Sequence, residues 1–236
     1  ARPSLISKAR RADMIMCSGA GLEAGWLPIL IQKGSSRIQP GKPGYFLAAD
    51  FVQVLEIPTV LDRSLGDIHP EGNPHVHLNP HNILIIANEF TKRLIRIDSN
   101  NQASYTALNE AFTSKWKAAI EKWEQDLSDY KNLSMVIYHK NFSYLIDWLS
   151  INLLGSIEVK PGIPPTAAHL EELLGVIRNS NSTPIIAVTP YDATKGAEWL
   201  SGKINKPYVT LPYTVGGDEQ SKNLFDLFDR TLALLK

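Results

Sequence analysis

The chain has 236 residues, 44% of them hydrophobic and 20% charged, with 24 basic and 24 acidic side chains and a formal net charge of zero. That length suits one large domain or two lobes, each able to bury a core without disulfides or metal staples. Zero net charge without a basic tract argues against nucleic acid or an anionic membrane as the main partner, and the longest unbroken apolar run, residues 83–87, is far short of the ~20 residues a membrane helix needs.

In chain order, residues 5–11 read as a short helix with Ser4 as its cap, and 12–17 as an apolar strand closed by Ser18-Gly19-Ala20-Gly21. Residues 22–32 carry Leu22, Trp26, Ile29 and Leu30 at helical spacing, interrupted by Pro28. The glycines and prolines of 33–50 predict a long surface loop, 52–57 a strand, and 66–80 a segment without regular structure. Asn79-Pro80 predicts a helix start, since Asn caps and Pro suits the first helical position. The helix beyond it places Ile83, Ile86, Ala87, Phe90, Leu94 and Ile97 on one stripe. A longer helix follows, with Tyr105, Leu108, Phe112, Trp116, Ile120, Trp123 and Leu127 recurring at steps of three or four.

Beyond it, apolar strands (133–138, 156–159, 184–188, 208–211) alternate with amphipathic helices (141–149, 166–178, 193–204, 222–235). That alternation predicts a parallel sheet covered on both faces. The first half reads as a similar lobe short of strands at its start. The single cysteine, Cys17, excludes an intramolecular disulfide and any zinc ribbon. The opening Ala1-Arg2-Pro3-Ser4, without an initiator Met, reads as a processed or cut end.

Four of the six histidines, His69, His75, His77 and His81, fall within a Pro-rich stretch. Imidazole nitrogen binds zinc well, and proline lowers the entropy lost on fixing ligands. His139 ends an apolar strand, at the carboxyl edge where open α/β sheets take ligands. Gly19-Ala20-Gly21 lacks the spacing of a dinucleotide fingerprint, and no P-loop or Gly-x-Ser-x-Gly elbow occurs.

Asn73-Pro74-His75-Val76-His77-Leu78-Asn79-Pro80 and Tyr138-His139-Lys140-Asn141-Phe142-Ser143-Tyr144 resemble the motifs of the zinc and manganese substrate-binding proteins of ABC transporters. Arg2-Pro3-Ser4 with Ala12-Asp13, and Gly19-Ala20-Gly21-Leu22-Glu23, resemble two further motifs of that family. The resemblance implies two Rossmann-like α/β lobes joined by one long rigid helix, with a metal cleft between them: an amino-terminal lobe over 1–98, a linking helix over 99–130 and a carboxyl-terminal lobe over 131–236. It implies His75 and His139 as metal ligands. His77 stands where the family usually has Trp and, with Asp192, is a substitute ligand of lower weight. The family's first His would lie upstream of Ala1. Thr189-Pro190 stands in place of an acidic Glu-Pro pair, and Leu211-Pro212-Tyr213 in place of a turn bearing Asp. Asp218 and Glu219, near the glycine turn, are weaker candidates, and His69 belongs to a loop over the cleft.

An imidazole-rich set without those carboxylates favours zinc over manganese. Neutral imidazoles are needed, so affinity is expected to fall as pH drops through about 6.5. The resemblance further implies an exported, periplasmic, monomeric receptor that delivers its ion to a membrane ABC permease, with no catalysis. Two other readings stand beside it: a zinc hydrolase built on His75, His77 and His81, and a two-lobe receptor for a non-metal solute or a metal chelate.

Overall fold

The computed structural model describes residues 2–59, 69–125, 130 and 132–236. These form two compact units: residues up to Thr59 with His69–Ala118, and Ala119–Lys236. No described helix is long and apolar enough to cross a membrane.

In the first unit, helix α1 (Pro3–Arg11) begins earlier than Ser4 predicts. Pro3 takes the first turn, where a missing N–H costs nothing, so Ser4 lies inside the helix instead of capping it. Strand β1 (Ile15–Cys17) follows, and α2 spans only Leu27–Gln32. Pro28 therefore starts this helix and does not interrupt it; residues 22–26 form turns. The predicted surface loop is the largest correction. It contains strand β2 (Tyr45–Leu47), which pairs in parallel with β1, and single helical turns at Ser36–Ile38 and Ala48–Phe51. Ile38 and Phe46 are fully buried. The predicted strand at 52–57 does not form, and Glu56 there has φ 55°, a left-handed conformation rare for a residue with a side chain.

Helix α3 (Pro80–Ile97) opens as the sequence predicts, with Asn79 Oδ1 accepting from the His81 N–H at 2.9 Å. Helix α4 (Gln102–Gln125) carries the predicted stripe, with Trp116, Ile120 and Trp123 buried, and the unit boundary falls within it. Leu108 departs from the stripe and is 67% exposed. Leu127 and residues 66–68 lie outside the described residues.

Cys17 sits in the core of this first unit with Leu27, Leu30, Ile31 and Ile38. Burial, and secondarily the Glu23 carboxylate, push its thiol up to about 11. At pH 8 only about one molecule in a thousand then carries the reactive thiolate. A maleimide at pH 8 is expected to leave the native protein unlabelled and to label it stoichiometrically in denaturant. Fast native labelling would mean that this core is open.

The second unit is the predicted parallel α/β sheet. Strands β3 (Ser134–Ile137), β4 (Asn152–Ser156), β5 (Ile185–Val188) and β6 (Val209–Thr210) lie in the order β4-β3-β5-β6, all parallel. Helices α5 (Ser143–Leu149), α6 (Ala167–Arg178), α7 (Lys195–Ile204) and α8 (Leu224–Leu235) alternate with the strands. Val136, Ile186 and Val188 pack on one side with Leu173, Leu174, Ile177 and Leu200. Met135, Ile137, Ile185 and Ala187, which alternate with them, are also buried, as a sheet covered on both faces requires.

One strand is displaced. The sequence predicts it at 156–159, yet β4 is Asn152–Ser156 and starts two residues after Ser150, whose φ of 53° ends α5. Its register with β3 runs Ser134↔Asn152 and Met135↔Leu153, then jumps to Val136↔Gly155 and Ile137↔Ser156, leaving Leu154 as the extra residue of a bulge. A methyl group on Gly155 would come within 2.8 Å of Leu173 Cδ1, so the close packing of α6 on the bulge selects glycine there.

Candidate metal centre

In the first unit, His75 lies in a turn built almost wholly by asparagines. The Asn73 side chain accepts from the His75 N–H at 3.0 Å and donates to Glu56 Oε2 at 2.8 Å, while the Asn73 N–H donates to the Leu55 carbonyl at 2.8 Å. Asn82, buried at the start of α3, donates to the Val76 carbonyl at 3.0 Å, and the Leu78 N–H reaches the His75 carbonyl at 3.3 Å. The turn is thus closed before α3 begins, and a single helical turn, Val76–Leu78, carries the chain into it. His75 is 7% exposed, and its ring meets the ring of His69 edge-to-face, centroids 6.1 Å apart. His77 is half-buried and His81 exposed.

In the second unit, His139 stands just past the carboxyl end of β3. Its Nδ1 is 2.7 Å from Glu158 Oε2, with side chains 25% and 13% exposed. Tyr138 beside it is buried. That burial, and then the carboxylates of Glu158 and Asp192, hold its phenol above the ordinary tyrosine range. At the carboxyl edge of this sheet Glu158 therefore acts on both the Tyr138 phenol and the His139 imidazole. Glu158 is the residue that sequence reasoning missed. Placing the strand at 156–159 put Glu158 inside it, and the only signal for the true register was Gly155.

Asp192 is half-buried, and its Oδ2 accepts from the Thr189 N–H at 2.6 Å, closing the turn after β5. Asp218 likewise accepts from the N–H groups of Gln220 and Ser221, at 3.1 and 2.7 Å, and from Arg230 Nε at 3.1 Å. Burial raises its carboxyl, but these hydrogen bonds outweigh that and hold it below the usual value. The two positions where acidic ligands would stand hold Thr189, buried with its hydroxyl accepting from the Tyr191 N–H, and Leu211, fully buried. Past Leu211, burial, with Tyr191 adding to it, pushes the Tyr213 phenol to about 12. Among the described residues, no three His, Cys, Asp or Glu side chains form a group that could hold a metal ion.

A parallel sheet with a histidine–carboxylate pair at its carboxyl edge is the architecture of an α/β ligand-binding protein. The high-affinity zinc uptake system protein ZnuA of Brucella abortus (strain 2308) is 24% identical over 122 residues, 52% of this chain and 36% of that protein. The manganese ABC transporter substrate-binding lipoprotein PsaA of Streptococcus pneumoniae is 30% identical over 195 residues, 80% of this chain and 60% of that protein. In these matches the chain spans little more than a third of the Brucella relative. A crystal structure of ZnuA shares the fold, with a TM-score of 0.77 and 20% identity over 100% of this chain and 84% of that one. The family model of ZnuA, the zinc-uptake complex component A, periplasmic, matches residues 1–236, and the chain belongs to that family.

Proposed function

We propose that this chain captures a divalent transition metal ion, zinc in preference to manganese, and delivers it to an ABC permease. The match of the zinc-uptake family over residues 1–236 carries this reading, and the similarity to zinc-uptake and manganese-transporter proteins supports it. His75 and His139 are the ligands we assign. Asn73 fixes the His75 main chain, and Glu158 holds the His139 ring. His77 ranks below them, and so does Asp192, whose carboxylate already closes its own turn. Imidazole favours zinc, whereas manganese prefers more carboxylate and water oxygen. We divide the chain into a lobe over 1–98, a linking helix over 99–130 and a lobe over 131–236, and place the protein in the periplasm as a monomer. The ion is cargo, and the chemistry is capture with no turnover. The hydrolase reading is not favoured, because His81 is exposed at the start of α3 while His75 is buried.

The test is a competitive zinc titration of chelator-stripped protein, run with His75→Ala, His139→Ala and a manganese competitor. One site per chain, weakened at least tenfold by either substitution and little displaced by manganese, is the expected result. Absence of zinc binding would overturn the reading.

A further inference from the structure

We propose that Glu158 is a positioning residue for the metal ligand His139, brought to it by the bulge in β4. The inference rests on the reading of His139 as a ligand.

The argument begins with register. Beyond the bulge, β4 pairs Ile137 with Ser156, and the ladder continues past both strand ends: the Ile157 N–H donates to the Ile137 carbonyl at 2.8 Å and the Glu158 N–H to the Tyr138 carbonyl at 3.1 Å. This sets Glu158 beside His139 on the same side of the sheet. Were Leu154 paired in step instead of bulged out, the register Met135↔Leu153 would continue and bring Ile157 beside His139, with Glu158 turned to the opposite face. The tail is also tied down from α6, because His169 Nε2 lies 2.9 Å from the Ser156 carbonyl, and Ser156 Oγ donates to the Glu158 carbonyl at 3.0 Å. The Glu158 backbone is therefore held at both its N–H and its carbonyl before its side chain reaches the imidazole.

A carboxylate can only accept, so the 2.7 Å contact puts the proton on His139 Nδ1. In the neutral imidazole, the form that can bind a metal ion, the lone pair is then on Nε2, the nitrogen farther from the backbone. Such a pair fixes both tautomer and ring orientation, and raises the basicity of the nitrogen that meets the ion. Glu158 thus acts through His139 and does not touch the ion.

Two measurements test this. In metal-stripped protein, long-range ¹H–¹⁵N NMR of the imidazoles, assigned against His139→Ala, is expected to show His139 protonated at Nδ1; protonation at Nε2 would overturn the proposal. In zinc competition titrations, Glu158→Ala is expected to weaken binding about 10- to 100-fold. Glu158→Gln, whose amide oxygen still accepts, should lose less, and it replaces the alanine variant if that variant melts below the assay temperature. The double variant His139→Ala/Glu158→Ala should bind no more weakly than His139→Ala alone, because a residue acting only through His139 has nothing left to contribute. A further loss in the double variant would mean that Glu158 binds the ion directly and would sink the positioning role. Wild-type affinity in Glu158→Ala beside a weakened His139→Ala would sink the proposal and leave the ligand reading intact. Wild-type affinity in His139→Ala would sink both.

Discussion

Phe228→Ala is expected to cost about 3–5 kcal/mol of stability, the range for deleting a fully buried aromatic side chain. Phe228 is 1% exposed on α8, with its ring stacked on Trp123 at 5.0 Å and 23° and meeting the edge of Trp148 at 5.8 Å and 77°. Both indoles are anchored by their N–H groups, Trp123 to Asp229 Oδ1 at 2.8 Å and Trp148 to Glu124 Oε1 at 2.9 Å. Neither ring can swing into the vacated space without giving up that bond, so the cavity stays open and its full cost is felt. Urea unfolding followed by tryptophan fluorescence measures the loss. The matched control is Leu108→Ala on α4: at 67% exposure it should change stability by no more than about 0.5 kcal/mol. Equal effects of the two substitutions would contradict the burial of Phe228.

Gly44→Ala should be nearly as damaging, at about 3 kcal/mol, for the opposite reason. A methyl group there would overlap the Asp13 carbonyl oxygen and lie 2.5 Å from the Arg37 carbonyl oxygen, both main-chain atoms that no rotamer change can move. The Gly44 carbonyl also accepts from the Ile15 N–H at 2.8 Å, the contact that leads into the β1–β2 pair. Arg93 restrains the same stretch from α3, donating to the carbonyls of Lys42, Pro43 and Tyr45 at 3.4, 3.3 and 3.2 Å. The methyl can be admitted only by moving main chain at Gly44, Asp13 and Arg37. Gly25→Ala is the control, since nothing lies within 4 Å of a methyl group at that position. A Gly44→Ala protein that melted with the wild type would show that Gly44 is not in this close approach to the Asp13 and Arg37 carbonyls.

The second unit was legible in the sequence because its strands are buried on both faces and its helices on one, so apolar runs and helical spacing alternate without conflict. Thr166 and Asn223 each accept a hydrogen bond from the first turn of their helix, as capping residues do. The first unit was harder to read. Tyr45-Phe46-Leu47 is too short to show a period and stands directly behind Gly41-Lys42-Pro43-Gly44, whose residues otherwise signal a loop. At Pro28 the ambiguity is intrinsic, because the same residue breaks a helix from inside and begins one from its first turn. For the candidate site, His75 and His139 could be singled out from motif and strand end. Glu158 could not, because its placement depends on a one-residue slip in strand register that alternation alone does not reveal. The asparagines around His75 were equally hidden: they act through main-chain hydrogen bonds, which leave no periodic mark.

The indole of Trp116 is fully buried and donates to the Pro80 carbonyl at 2.8 Å, at the first turn of α3, five residues after His75. It also stacks on Phe112, centroids 5.5 Å apart and 21° from parallel. A chromophore held rigidly against an aromatic ring has a near-ultraviolet circular dichroism band that is sensitive to small rotations. The protein therefore carries a label-free optical gauge wired to the helix entry that follows His75. Rapid-mixing spectroscopy of that band could time events at the turn without adding a dye or altering a ligand.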